Sequence, residues 1–450
     1  MPSPSATQFM ATIVSLCKRR GFIYQASEIY GGMGNTYDYG PLGVELKRRV
    51  KDAWWRSMVT ARADVVGLDS AILQHPKTWE TSGHVVNFTD PLVDCKTCKA
   101  RFRADKLEEV QCPQKPSRNP LENKCDLTAP RAFNLMFKTH VGAAEDSASI
   151  AYLRPETAQG IFLNFKNVLE SSRLKPPFGI AQLGKSFRNE ITPGNFVFRT
   201  REFEQAEMEF FVPPGEDEKW FEYWVAERFK WYTELGIRPE KLRLFQHARE
   251  KLAHYSKATT DVEYEYPFGW GELEGIANRT DFDLNAHSEA SGTKLEYFEP
   301  ETKVHFTPFV IEPAGGVDRM ALTFLIDSYA EEVVEGETRV VLRLHPRLAP
   351  VTVGVFPLVK KDGMPEQAHA IEEELRDLGL ATFYDEKAAI GRRYRRQDEI
   401  GTPWCITIDG DTLKDGTVTV RERDSMQQHK VAAKELGAHL LHAQRTWKKA

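Results

Sequence analysis

The stretch from Phe178 to Phe211 constrains this chain most. Two strand-like runs, Gly179 to Glu190 and Phe198 to Phe211, flank a loop at Ile191-Thr-Pro-Gly-Asn195, where Pro-Gly signals a turn. Alternate residues of a strand share a face. Arg188 and Glu190 therefore point one way on the first run, while Arg201, Phe203, Gln205, Glu207 and Glu209 share a face on the second. A packing face would carry Val, Ile or Thr. This one is either solvated or the floor of a site. Its mixture suits an anionic ligand with a flat ring: guanidinium for phosphate, phenyl for stacking, carboxylate for an amine.

A second element, Phe306-Thr-Pro-Phe-Val-Ile-Glu312-Pro-Ala-Gly-Gly-Val-Asp-Arg319, reads as a strand ending in Glu312, a Gly315-Gly316 turn and an amphipathic helix through Met320, Ala321, Phe324 and Leu325. Arg319 falls in the first turn of that helix, near the positive end of its dipole, a seat for a polyphosphate. No G-x-x-x-x-G-K-[ST] loop is present and no G-x-G-x-x-G follows a strand, so nucleotide binding here is of another kind. Upstream, a turn with Gly31, Gly32 and Gly34 leads into Tyr39-Gly-Pro-Leu42, with Pro41 at the first position of a helix. Leu42, Leu46, Val50, Trp54 and Met58 form its apolar stripe, which packs on its own sheet or forms a subunit interface.

The proline-punctuated joint Leu344-His-Pro-Arg-Leu-Ala-Pro350 reads as a domain boundary. Beyond it, strands at Val351 to Phe356, Ala381 to Tyr384, Trp404 to Ile408 and Thr417 to Val420 alternate with helices at Glu366 to Leu378 and Ile390 to Ile400. That pattern predicts a three-layer α/β domain with a mixed sheet. A chain of 450 residues has room for two to four domains. The net charge of −5 excludes a uniformly basic nucleic-acid coat. It is unevenly spread. From Val341 onward 18 basic and 16 acidic residues give +2, leaving 42 against 49, or −7, for residues 1–340. The tail is thus better suited to a polyanion. Its run Gly391-Arg-Arg-Tyr-Arg-Arg396 places Arg392, Arg393, Arg395 and Arg396 around Tyr394 at a helix start. This is either a phosphate-binding face with a stacking ring or a solvated helix face.

These motifs resemble the class II aminoacyl-tRNA synthetases, and among them the dimeric glycyl branch. Phe187-Arg-Asn-Glu190 followed by Phe198-Arg-Thr-Arg-Glu-Phe-Glu-Gln-Ala-Glu207 is similar to motif 2 (about 178–211), Pro308 to Arg319 to motif 3 (about 304–329), and the glycine-rich turn with its helix to motif 1 (about 28–60). Arg154-Pro-Glu-Thr-Ala-Gln-Gly160 and Gly269-Trp-Gly-Glu-Leu-Glu-Gly-Ile-Ala277 mark the glycyl branch. The tail, with Tyr384-Asp and the arginine run, resembles the anticodon-binding domain shared with the prolyl, threonyl and histidyl enzymes. The resemblance spans nearly the whole chain.

It implies an α/β protein: an α+β catalytic core at 1–343 with a six- to seven-stranded antiparallel sheet flanked by helices, a cysteine-bearing insertion at 91–150 and an anticodon-binding domain at 351–450. It implies glycine, ATP and tRNA(Gly) as substrates, Mg²⁺ as cofactor and a homodimer joined through motif 1. The ATP site would draw on Arg188, Asn189 and Glu190, on Phe198, Arg199, Thr200, Arg201, Glu202 and Phe203, on Glu272 and Leu273, and on Gly316, Val317, Asp318 and Arg319. Within it Arg188 holds the α-phosphate, Glu190 the adenine amino group and Arg319 the γ-phosphate. Phe203 stacks on the adenine and Glu272 helps hold Mg²⁺. The glycine site would draw on Arg103, Glu156, Phe203, Glu204, Gln205, Ala206 and Glu207, and on Glu312, Pro313, Ala314, Gly315 and Gly316. Two positions depart from the family pattern. Ala314 stands where a serine hydroxyl is usual, and Gly194 where the motif 2 loop carries a basic residue. A non-catalytic paralogue, serving as an accessory or regulatory nucleic-acid-binding subunit, is the alternative. Those tend to lose the motif 2 and motif 3 arginines, and Arg188 and Arg319 are both present.

Cysteines fall at 17, 95, 98, 112, 125 and 405. In so long a chain this favours reduced thiols over a disulfide framework. Cys95, Cys98, Cys112 and Cys125 supply enough thiols for a structural zinc, and the alternative is that Cys112 and Cys125 are small buried residues or loop thiols. None of the twelve histidines forms a ligand pattern beside the motifs, and His345 marks the domain joint. No apolar stretch approaches the roughly 20 residues a membrane helix needs. The start has an apolar piece from Met10 to Cys17 followed by Lys18-Arg19-Arg20, the reverse of a signal peptide's charge order, so the expected location is cytoplasmic.

Overall fold

The computed structural model describes residues 4–108, 110–143, 149–191, 194–253 and 255–448. The Pro-Gly turn expected at 193–194 therefore lies partly outside the described residues.

The larger sheet contains β1 (Val65–Gly67), β2 (Phe178–Phe187), β3 (Glu202–Val212), β4 (Leu242–Gln246), β5 (Ala258–Tyr266), β6 (Gly269–Thr280) and β7 (Phe309–Gly316). Their order is β4-β5-β6-β7-β3-β2-β1. Every pairing is antiparallel except that of β1, which runs parallel to β2. The expected strand bounds were too generous. β2 stops at Phe187 and β3 starts at Glu202, with a helical turn at Phe196–Phe198 between them. Arg188, Glu190 and Arg201 are thus loop residues, although the Arg188 amide still donates to the Arg201 carbonyl (2.9 Å) and continues the ladder.

Alternation along β3 decides how the layers form. Ala206, Met208, Phe210 and Val212 point into a core shared with Trp224, Trp231 and Tyr232. These three belong to the helix Asp217–Glu234. On the other face the residues grade from polar to apolar. Phe203, Gln205 and Glu207 line an open cavity, Glu209 is sealed, and Phe211 joins Phe162 and Phe165 beneath a second helix, Ala158–Ser172.

Helix α1 (Pro4–Arg20) precedes α2 (Pro41–Trp55), which begins with Pro41 in its first turn, as expected. Leu46, Val50, Trp54 and Met58 are buried in the chain's own core, so the stripe packs on its own sheet. A Cβ on Gly43 would stand 1.7 Å from the Phe22 carbonyl oxygen, so α2 lies against backbone and admits no side chain there. Numbering the two core helices above α3 (Ala158–Ser172) and α4 (Asp217–Glu234), the next are α5 (Phe282–Ser291) and α6 (Val317–Ser328). A hairpin, Tyr329–Val334 with Glu337–Leu342, follows α6 directly.

The second sheet contains β8 (Val353–Pro357), β9 (Thr382–Tyr384), β10 (Trp404–Ile408), β11 (Thr417–Glu422) and β12 (Gln428–Ala432), in the order β9-β8-β10-β11-β12. β8 runs parallel to both neighbours and the remaining pairs are antiparallel, the expected mixed sheet. Helices α7 (Met364–Asp377) and α9 (Leu436–Thr446) cover one face through Ile371, Leu375 and Leu440. Helix α8 (Ile390–Ile400) covers the other through Tyr394, against Phe356 and Cys405. β12 and α9 are additions to the expected element list. The strand is polar and half-exposed, so it carries no buried run. Among the described residues no helix is long and apolar enough to cross a membrane.

Candidate active site

A cavity of about 350 Å³ opens over β3, β5, β6 and β7 and the first turn of α6. Arg188, Glu190, Phe198, Arg199, Thr200, Phe203, Glu272, Gly316, Asp318 and Arg319 of the expected nucleotide set line it. So do Glu156, Gln205, Glu207, Glu312, Ala314 and Gly315 of the expected glycine set.

The remaining expected residues lie off its wall, for reasons of strand geometry. Alternation turns Glu202, Glu204 and Ala206 away: Glu202 pairs with Lys185, Glu204 with Lys47 and Lys51, and Ala206 enters the core. A bulge opposite Val262/Glu263 sends Leu273 into the core beside Glu274, leaving Glu272 on the cavity side. Val317 is core, and Pro313 is buried in register with Ile276. Arg201 donates to the Gly34 carbonyl, and the Asn189 amide to that of Leu135. Arg103 is occupied by Asp90 (2.9 Å) and Asp105 (2.8 Å).

The cavity has a cationic end. Arg188 lies over the Phe203 ring (5.3 Å) and donates Nε to the Pro155 carbonyl (3.1 Å). Arg319 lies over Phe198 (4.4 Å), donates to the Phe198 and Glu272 carbonyls, and stands 3.4 Å from the Glu272 carboxylate. Desolvation raises the Glu272 carboxyl, but the charges of Arg319 and Arg188 outweigh it and hold the group below its ordinary range. Asp318 is withdrawn from the ligand space. Its carboxylate accepts from Tyr39 (2.6 Å), Lys47 (2.7 Å) and the Glu204 amide (2.7 Å).

The other end is acidic. Glu207 accepts from the Thr157 amide (2.9 Å) and hydroxyl and from Gln205 (2.6 Å). Glu312 accepts both its bonds from Arg279 Nη1 (2.9 and 3.0 Å), while Nε and Nη2 of the same guanidinium grip Asp283. Glu209, opposite Glu312 across the ladder and fully buried, has no hydrogen-bond partner on either oxygen among the described residues. Burial, only partly offset by Arg279, and the charges of Glu207 and Glu156 push Glu312 up to about 8. Burial and then Glu312 push Glu209 well above the carboxylate range. Glu156 goes the other way: burial raises it, but His84 and Arg279 prevail and lower it. Such an acid-rich, desolvated pocket attracts a small cation.

Three contributors escaped the sequence reading. Arg279, near the end of β6, belongs to none of the motifs. His84 reaches Glu156 (3.4 Å) from a short helix, His84–Asn87, far away in sequence. His247 pairs with Asp261 (2.7 Å), and both line the cavity. The histidines thus do enter the site, through spatial neighbours that no linear ligand pattern could reveal. Ala314 stands in register between Glu207 and Gly275, and the Thr157 hydroxyl bonds Glu207.

Comparison with known proteins decides the family. The family described as "Anticodon binding domain" matches residues 352–442. The glycine–tRNA ligase of Streptomyces coelicolor is 56% identical, covering 95% of this chain and 97% of its own. That of Thermobifida fusca is 55% identical (96% and 98%) and that of Treponema denticola 52% (98% and 98%). The chain belongs to the glycine–tRNA ligase family.

In the C-terminal domain the arginine run divides. Arg393 is buried and donates to the Pro357, Leu358 and Asp385 carbonyls. Tyr394 bonds Thr407 through its hydroxyl (2.6 Å) and lies under Arg421 (4.8 Å), so its ring is not offered to a base. Arg392 and Arg396 remain exposed, Arg396 within 3.0 Å of Asp385, and Arg395 is half-buried. The cysteine-bearing segment holds a three-stranded sheet, Thr89–Asp94 between Arg101–Arg103 and Arg131–Asn134. Its four thiols gather: Cys112 and Cys125 are 3.6 Å apart, the Cys95 side chain interacts with those of Cys98 and Cys125, and the Cys98 amide lies 3.5 Å from the Cys95 sulfur. Among the described residues no group of three or more His, Cys, Asp or Glu side chains is placed to hold a metal ion.

Proposed function

We propose that this chain joins glycine to tRNA(Gly) at the expense of ATP, through a glycyl-adenylate. One observation carries the reading beyond family membership. A single cavity unites three guanidiniums and two aromatic rings at one end with a crowded carboxylate pocket at the other. That is the complement of ATP beside a small ammonium ion.

In this reading Arg188 holds the α-phosphate, Arg319 the γ-phosphate and Glu190 the adenine amino group, with Phe203 stacked on the ring. Glu156, Glu207 and Glu312 receive the glycine ammonium, and Arg279 fixes Glu312 from behind. Arg103 acts at one remove, steadying Asp90 beside Glu190. No protein nucleophile is needed, because the glycine carboxylate attacks the α-phosphorus and pyrophosphate leaves. The tRNA 3′-terminal ribose hydroxyl then takes the acyl group. The side chains contribute alignment and charge cancellation. Glycine is selected by exclusion: in so tight a carboxylate nest a Cβ has nowhere to go.

Magnesium fits the oxygen donors at the cationic end. There the Asp261 carboxyl, driven up to about 6 by burial and by the Glu272 charge, stands next to Glu272. One or two carboxylates with substrate phosphates is the usual setting for that ion. When bound it neutralises phosphate charge. Zinc enters only as a brace for the insertion. The Cys112–Cys125 separation is close to the edge, about 3.8 Å, of a tetrahedral thiolate site with 2.3 Å bonds. Metal analysis of the purified protein checks it. Residues 1–343 serve as catalytic domain, with 91–150 inserted, and 351–450 bind the anticodon arm near Arg392 and Arg396. A cytoplasmic homodimer is the working form.

The test is ATP–pyrophosphate exchange against a panel of amino acids. Glycine alone should support exchange. No exchange with any amino acid would establish the non-catalytic alternative.

A further inference from the structure

Helix α8 is employed differently at its two ends. At its start Arg392 and Arg396 are exposed, and Arg393 ties down the loops after β8 and β9. At its end, two consecutive acidic residues reach back to the N-terminal part of the chain.

Asp398 is fully buried. One of its oxygens accepts from Arg339 Nε (2.8 Å), and the pair together accept both Nη groups of Arg421 (2.9 and 3.0 Å). Arg421 belongs to β11 of the same domain, but Arg339 lies on the second strand of the hairpin that follows α6. Arg339 is itself fully buried and also donates to Glu332 and to the Arg423 carbonyl. Glu399 takes Arg19 and Arg20, the last residues of α1, one on each oxygen. Two separate elements of the N-terminal part are thereby fastened to one turn of α8. One attachment would leave a pivot, whereas two in different directions define an orientation. Guanidinium forks also enforce geometry as well as proximity. The hairpin is continuous with α6, whose first turn places Arg319 in the cavity.

Resting on the functional reading above, we propose that Asp398 and Glu399 are positioning residues for tRNA. They hold the anticodon-binding domain at a fixed orientation to the cavity, so that one tRNA reaches both. Adenylate formation takes place wholly within the cavity and is independent of them. Charging of full-length tRNA is not.

The experiment compares three reactions of the full chain. In Glu399→Gln, glycine-dependent pyrophosphate exchange stays at the wild-type rate. The kcat/KM for full-length tRNA(Gly) falls roughly tenfold or more, as expected when a reacting group is misplaced by about an ångström. Charging of an acceptor-stem minihelix lacking the anticodon is unchanged. Glu399→Arg behaves likewise, and adding Arg19→Glu with Arg20→Glu in the same chain restores full-length charging. Asp398→Asn, which breaks a buried charge set that includes Arg421, is read alongside a thermal melt and beside Arg339→Met, which removes the hairpin's link while Asp398 stays paired with Arg421. Equal losses on minihelix and full-length tRNA, or no loss on either, overturn the proposal while leaving the functional reading intact. Absence of exchange in the wild-type chain overturns both.

Discussion

Strand β6 takes part in two buried charge clusters, and they follow opposite rules. Toward α4, Glu274 accepts from Arg228 (2.6 and 3.2 Å) and from Tyr232 (2.6 Å), all three side chains buried. Charge and hydrogen bonds balance there. Toward the cavity, one guanidinium, that of Arg279, serves Glu312 and Asp283 while Glu207 and Glu209 lie close by, and Glu209 has no hydrogen-bond partner among the described residues. Burying charge without compensation is costly. A cluster that stays unbalanced within a fold able to balance its neighbour is reserved for something that arrives later. The balanced cluster is architecture, and the unbalanced one is where the proposed function seats the glycine ammonium.

That contrast can be broken at three points. The largest effect should come from Glu274→Gln, which strands Arg228 in the core. We expect a loss of about 3–5 kcal/mol in unfolding free energy by denaturant titration, with glycine affinity unaltered in the protein that remains folded. Glu312→Gln should do the reverse. Exchange should fall roughly a hundredfold, about 2.7 kcal/mol, while the empty protein gains stability at alkaline pH. The sign follows from linkage. A carboxyl raised to about 8 in the folded state holds a proton that the unfolded chain releases near 4.5, so unliganded wild-type stability declines as pH climbs through that window and the decline is complete above 8. The variant, unable to titrate there, should show a flatter melting profile between pH 5 and 8. The smallest effect belongs to Glu209→Gln. Removing an orphaned acid should raise stability by on the order of 1 kcal/mol, measured by calorimetric melting, with exchange near wild type. A large loss of exchange would instead give Glu209 a share in the cation pocket.

Sequence reading reached the cavity through periodicity. Phe203, Gln205 and Glu207 line it because a two-residue repeat on a regular strand needs no further information. The same rule misplaced Glu209, which shares their face but lies where α3 has already closed over the sheet. For Arg188 and Glu190 the rule led to the right place from a wrong premise, since both lie beyond the strand end. Leu273 was lost to a bulge that local propensity does not announce. Arg279 and His84 could not be found by pattern at all, because their meaning depends on partners from distant segments. In the tail, the arginine run was correctly placed on a helix. Helical rotation then turned Arg393 and Tyr394 inward, and a count of guanidiniums cannot sense which way a helix faces.

Asp318 carries one more consequence. Its single carboxylate accepts from Tyr39 and Lys47 near the start of the chain and from the Glu204 amide in the middle, while its own backbone begins α6. Three segments separated by well over a hundred residues are thus mutually dependent at one atom pair. Chimaeras between this chain and a relative that differs at any of these partners, with a crossover falling between residues 47 and 318, would inherit a mismatched knot. Exchanges that carry all three segments together avoid that mismatch.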